Sequence, residues 1–189
     1  LAGVGDPEQW YSLLPPDKYQ ALKDRVDLEF SFQNKQLFGV DDPVTIDVDV
    51  KNVKTLLVKV FEIRTGQYYR ATGREIDTDI NLDGLVAHEE KAYAYDLPPL
   101  RRERRRFNFP SIDKRGVYVI DFIGNGKSSR VLVRKGRLQS IVVPSPLGLD
   151  VLVLNEKQEH VKDATLWLDG QTYKADERGL ISVPFTTAA

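Results

Sequence analysis

From residue 26 onward the apolar positions recur every second residue. Val26, Leu28, Phe30 and Phe32 alternate with polar neighbours, and Val44, Ile46, Val48 and Val50 do the same in "PVTIDVDV". That is the period of a strand with one wet face. "KTLLVKVFEI" is denser in apolar residues and predicts a central strand. Further strand-like stretches are "GQYYRA", "REIDTDI", "KAYAYDL", "RRFNF", "GVYVIDFI" and "SSRVLVRKG". Asp83-Gly84, Pro98-Pro99 and Gly124-Asn125-Gly126 supply turns between them. Many short strands parted by such turns predict an all-β fold: an antiparallel β-sandwich of about nine strands over residues 27–137.

The two ends read differently. In "PPDKYQALKDRV" the prolines punctuate and Asp17 suits the first turn of a helix. Tyr19, Leu22 and Val26 fall on one face of that helix. Trp10, Tyr11, Leu13 and Leu14 are too apolar to stay solvated, so residues 1–26 are expected to form a docked helical arm. "SIVVPSPLG", with two prolines and a glycine, predicts a connector over residues 138–148. "LDVLVLNE", "ATLWLDG", "QTYKAD" and "LISVPF" then predict a second β-module over residues 149–189. It has few strands for a sandwich and is expected to be small or cut short, and to lean on the first domain or on sequence outside this chain, with Trp167 as the anchor of that contact.

Composition narrows the function classes. A chain of 189 residues with 41% hydrophobic and 29% charged residues has a core large enough to fold. A net charge of −1 gives no field directed at nucleic acid or an anionic membrane. No apolar run of about 18 residues spans a bilayer. "LAGVGDPEQW" lacks a basic start and an apolar core, so no signal peptide is expected. A chain with no Met is expected to be processed, or a piece of a longer protein. The absence of Cys removes disulfides, thiolate zinc sites and thiol nucleophiles.

Three stretches carry candidate chemistry. "DINLDGLVAHEE" fits the spacing of a calcium loop, with Asp79, Asn81, Asp83 and Glu90 as oxygen ligands and Gly84 at the turn. An EF-hand needs a helix on each side, and the flanks read as strands, so an Asx turn at Asn81-Leu82-Asp83-Gly84 is expected. "IGNGKSSR" resembles a phosphate loop, but Asp121 stands where the first Gly belongs and an alternating stretch follows in place of a helix. A hairpin is expected there, with Gly124 and Gly126 at positive φ. "RRERRRF" offers Arg101, Arg102, Arg104 and Arg105 as interaction residues, or else an edge strand protected by charge with Phe107 and Phe109 pointing inward. His88 and His160 read as surface imidazoles, and neither G-x-S-x-G nor H-E-x-x-H occurs. No catalytic, cofactor or metal motif is identified.

Two segments carry a resemblance. "KNVKTLLVKVFEI" is similar to a strand of the macroglobulin-like β-sandwich modules of α2-macroglobulin-type proteins, the bacterial members in particular. The stretch from "RGVYVIDFI" to "LISVPF" resembles a module's last hairpin followed by the next module's opening, at Val161, Ala164, Leu166, Trp167, Asp176 and Gly179. Carboxypeptidase regulatory-like modules share that second pattern. The family's thioester needs a Cys that this chain lacks, so no functional residue carries over. The resemblance implies successive immunoglobulin-like β-modules of a large extracytoplasmic protein.

The expected function is therefore a non-catalytic structural or protein-interaction module that contacts neighbouring modules or another protein. A rival reading is a module for carbohydrate or acidic polymer, using Tyr68, Tyr69, Tyr93 and Tyr95 with the arginine run. A carboxylate hydrolase is a third reading and needs two facing acids in a deep pocket.

Overall fold

The computed structural model describes residue 11 and residues 13–185. Two compact units meet between Lys135 and Gly136. The first holds α1 (Pro16–Asp24), β1 (Asp27–Phe30), β2 (Leu37–Phe38), β3 (Thr45–Lys51), β4 (Thr55–Ile63), α2 (Thr65–Thr72), β5 (Glu89–Ala94), β6 (Arg102–Asn108), β7 (Gly116–Gly124) and β8 (Lys127–Lys135). Its sheets run in the orders β1-β3-β6 and β2-β8-β7-β4-β5. Every pairing in them is antiparallel except that of β2 with β8. The expected all-β sandwich is the fold, with a short N-terminal helix as expected and α2 in addition.

Alternation builds the core. Ile46, Val48 and Val50 of β3 face Leu56, Val58 and Val60 of β4, Tyr118, Ile120 and Phe122 of β7, and Val131 and Val133 of β8 in one buried cluster. Phe122 is its aromatic hub and receives Phe30, Phe107 and Phe109 edge-on at 5.4, 5.1 and 6.3 Å between ring centres. The Asn125-Gly126 turn joins β7 to β8, and both of its residues have positive φ (46° and 77°). Gly124 serves otherwise than expected. It lies in the strand, and a Cβ there would come within 2.5 Å of Val53 Cγ1, so close packing requires glycine.

The five-stranded sheet has a second apolar face. Phe61, Ile63, Val119 and Leu132 point away from the sandwich core, and the connection between β4 and β5 folds over them. Ile76, Ile80 and Leu82 complete this second buried cluster, with Tyr68 and Ala87 packed at its margin. Two expected strands are therefore absent. "GQYYRA" lies in α2, which ends where Gly73 takes φ 66° and donates to the Tyr69 carbonyl at 2.7 Å. "REIDTDI" is irregular; β5 occupies the free side of β4, and this stretch packs over the sheet without pairing. Its isoleucines anchor a cover instead of pairing.

Of the expected arm, residues 16–24 are helical, while residues 1–10 and 12 lie outside the described residues. No residue of α1 is buried, so polar groups dock it. Lys51 Nζ donates to the carbonyls of Leu22 (2.6 Å) and Arg25 (2.8 Å). Asn52 Nδ2 donates to those of Lys23 and Asp24, each at 3.1 Å, and Lys127 Nζ to that of Val26 at 3.2 Å. A helix leaves its last carbonyls without partners, and a cation there also complements the helix dipole.

The second unit pairs β9 (Gln139–Ser145), β10 (Gly148–Leu154) and β13 (Leu180–Pro184), and holds a separate hairpin of β11 (Thr165–Leu168) and β12 (Gln171–Lys174). The expected connector is thus a strand. β9 pairs with β10 from Gln139↔Leu154 to Ser145↔Gly148, leaving Pro146-Leu147 as a two-residue turn. Pro144 is tolerated because that register turns its nitrogen toward the free edge. Gly148 is obligatory, since a Cβ would meet the Val183 carbonyl oxygen at 2.0 Å. Among the described residues Val151, Ile181 and Val183 form its buried cluster, with Leu166 and Tyr173 packed against it. Trp167, 36% exposed, stands outside that buried cluster.

So small a centre gives the second unit less stability than the first. Hydrogen exchange on the whole chain is expected to show Val151 and Ile181 opening at lower free energy than Val119 and Ile120. Ile181→Ala is expected to cost about 2–5 kcal/mol in the second unit alone. Equal protection in both units would contradict this.

Candidate interaction surface

The arginine run forms β6, an edge strand of the three-stranded sheet. Its alternation sends Arg102, Arg104 and Arg106 to the outer face, while Phe107 is buried. Opposite them β3 places Asp47 across from Arg106 and Asp49 across from Arg104. The result is a ladder of ion pairs. Arg106 holds Asp47 through two bonds of 2.8 Å, and Arg104 holds Asp49 through bonds of 2.9 and 3.0 Å. Arg102 reaches Asp49 at 3.0 Å, Glu29 at 2.8 Å and Asp27 at 3.8 Å. Arg25 closes the end on Asp27 at 2.8 Å. The forked geometry matches guanidinium to carboxylate.

The inward side of β6 is also committed. Arg105 pairs with Glu103 and lies over the Tyr95 ring, 4.9 Å from its centre, and Arg101 reaches Glu103 at 2.6 Å. Of the four candidate arginines, Arg102, Arg104 and Arg105 lie on β6 and Arg101 directly precedes it, and each has an acidic partner within the chain. The partners Asp27, Glu29, Asp47 and Asp49 escaped the sequence reading. The available signal was the matched period of two in "TIDVDV" and "RRERRRF".

A second row of charges crosses the five-stranded sheet, where Arg130, Asp121, Lys59 and Glu90 stand in register on β8, β7, β4 and β5. Asp121 is 4% exposed; it accepts from Ser128 Oγ at 2.6 Å and Arg130 Nε at 3.3 Å. Arg130 Nη1 donates to the Ile80 carbonyl at 2.9 Å and so ties the cover to the sheet.

The calcium-loop residues do not converge. Asn81 Oδ1 accepts the Asp83 N–H at 2.9 Å in an Asx turn, and Glu90 lies in β5 paired with Lys59 at 3.1 Å. α2 precedes the loop, where a strand was expected, and β5 follows it. Among the described residues no group of three or more acidic or histidine side chains is placed to hold a metal ion. The four tyrosines separate into two pairs. Tyr68 and Tyr69 lie on α2, whereas Tyr93 meets Phe107 edge-on at 5.2 Å and Tyr95 lies beneath Arg105. His88 and His160 are both exposed. No helix among the described residues is long and apolar enough to cross a membrane, which leaves membrane β-barrels unaddressed.

Residues 56–136 match the family model of the AbpF first immunoglobulin-like domain. This stretch is an immunoglobulin-like module. Over 191 aligned residues the chain is 41% identical to actin-binding protein F of Dictyostelium discoideum, covering all of this chain and 8% of that protein. Two solved structures of Escherichia coli α2-macroglobulin are also similar, each at 14% identity over 87% of this chain. One spans MG0-NIE-MG1, with a TM-score of 0.49 and 59% of that chain covered. The other spans NIE-MG1, with a TM-score of 0.44 and 89% covered. The immunoglobulin-like type expected from the sequence is the type the family model returns for residues 56–136. The extracytoplasmic placement is corrected: the 41% identical relative is named for binding actin, a protein of the cytoskeleton.

The ladder predicts a pH dependence. The hydrogen bond from Arg104, with a second from Arg102, holds Asp49 down to about 2, and Arg106 lowers Asp47 in the same way. A depressed carboxylate contributes stability that is present above its unfolded value of about 3.9 and is lost as pH falls through the folded value. Urea unfolding should show stability declining from about pH 5 toward pH 2. Asp49→Asn is expected to cost about 1 kcal/mol at pH 7 and to shrink that decline. An unchanged acid limb would contradict the ladder's role.

Proposed function

We propose that this chain is a non-catalytic spacing and protein-contact segment of a larger protein. The observation that carries the reading is the internal pairing of the arginine run. Arg102, Arg104 and Arg106 are held by Asp47, Asp49 and Glu29, so their charge stiffens an edge strand and is not offered to an anionic ligand. The separated tyrosines leave the carbohydrate or acidic-polymer reading without a platform. The chain spans 8% of actin-binding protein F, and the proposal places it as a β-module in a protein of that kind, in contact with neighbouring modules or with a protein partner.

Retention on heparin and sedimentation with filamentous actin test this together. The double variant Arg104→Ala, Arg106→Ala is expected to unfold at lower temperature than the parent chain. It is expected to match the parent in heparin elution salt and in the fraction sedimenting with actin. A drop in elution salt or in sedimentation would show that the arginines serve an acidic partner, and would favour the polymer-binding reading.

A further inference from the structure

Among the described residues, one stretch of strand edge in the first unit is left unpaired. β8 pairs with β7 from Lys127↔Gly124 to Lys135↔Gly116. The two-residue turn makes the flanking pair hydrogen-bonded, so Ser129, Val131 and Val133 turn their backbone groups toward β7. Ser128, Arg130, Leu132 and Arg134 turn theirs away. On that outward side the Arg134 N–H donates to the Gln36 carbonyl at 2.8 Å, and β2 pairs with Arg134 and Lys135 alone. Among the described residues no strand pairs with the outward side of Arg130 and Leu132.

The chain that leads from β1 to β2 swings clear of this edge and is pinned on both sides of it. Ser31 N–H donates to the Asp47 carbonyl at 3.0 Å. The Asn34 side chain then exchanges two bonds with the backbone of Asp47, each 2.8 Å, as a strand residue would. Residues 31–34 are thereby held to β3, and Gln36 to β8. Between them lies a groove of about 540 Å³, with Arg130 and Leu132 on its floor, Phe32 on one wall, and Ile76 and Asp77 of the cover on the other. Phe32 is 92% exposed.

We propose that this groove takes an extended peptide segment of a partner protein, added as a strand beside β8. Strand addition gains main-chain hydrogen bonds from an open edge and reads alternate side chains in the flanking walls. Arg130 to Leu132 pair with about three residues of such a segment. One set of its side chains meets Phe32. The other meets Asp77, whose carboxylate accepts from the neighbouring Thr78 N–H at 2.7 Å and makes no ion pair among the described residues. The fitting partner alternates apolar and basic residues. Two other edges of this unit are defended: β6 turns Glu103 and Arg105 inward, and β5 carries Glu89, Glu90 and Lys91. This inference rests on the reading of the chain as a protein-contact segment and names one contact.

Titration of the isotope-labelled full chain with a blocked hexapeptide alternating valine and lysine tests it. The amide signals of Arg130 and Leu132 are expected to shift and to exchange more slowly with solvent. The same peptide with glutamate in place of lysine is expected to bind at least about threefold more weakly. Phe32→Ala and Asp77→Lys are each expected to weaken the lysine peptide by about that factor, and Val86→Ala, at a side chain equally exposed, to leave it unchanged. No change at Arg130 and Leu132 at millimolar peptide overturns the proposal. Shifts confined to β5 and β6 also overturn it, while leaving the protein-contact reading in place.

Discussion

β7 must be buried on both faces. Tyr118, Ile120 and Phe122 point into the sandwich, and Val119 points the other way into a second cluster with Phe61, Ile63 and Leu132. A two-layer sandwich covers only one face of each sheet. The connection between β4 and β5 supplies the missing layer, with Ile76, Ile80 and Leu82 as its apolar contacts and the Arg130 bond to the Ile80 carbonyl as its tie. The rest of the first unit follows. The cover makes one wall of the groove along β8, and it draws Asp79, Asn81 and Asp83 into turns instead of a cation shell.

Charge is arranged with the same economy of contact. The two strongest rows, on the outer faces of the two sheets, are neutralised across strands. The exposed pairs of the β3–β6 ladder contribute little individually, about 0.2–1 kcal/mol, but forked arginine–carboxylate pairs in a network fix strand register and side-chain direction. Lys51 is buried, and that burial lowers its pKa, with Asp27 opposing the shift. It holds α1 by carbonyls and not by apolar surface.

Much of this was legible in the sequence. The period of two located β1 and β3, because each has one core-facing set of residues, and β7 and β8 showed as strands through their β-branched and aromatic residues. The Asn125-Gly126 turn was legible because its backbone needs positive φ, although Gly124 proved to be a packing glycine. The cover was not, since Tyr68, Ile76 and Ile80 obey no single period: each meets the sheet from a different local structure. β9 was hidden by Pro144 and Pro146, which read as breakers until the pairing register shows one at a free edge and the other in a turn. At the candidate surface the arginines were visible and their acidic partners were not, because register between β3 and β6 joins residues more than fifty positions apart.

The central claim is that the second cluster supports the five-stranded sheet. Replacing residues 65–86 by a four-residue glycine-serine turn removes the cover and leaves the strands intact. Urea unfolding of the first unit then tests the claim. Exposing Phe61, Ile63, Val119 and Leu132 is expected to lower stability by more than about 4 kcal/mol, given roughly 1.5–3 kcal/mol for each such side chain. An unfolding midpoint equal to that of the full chain would contradict the account.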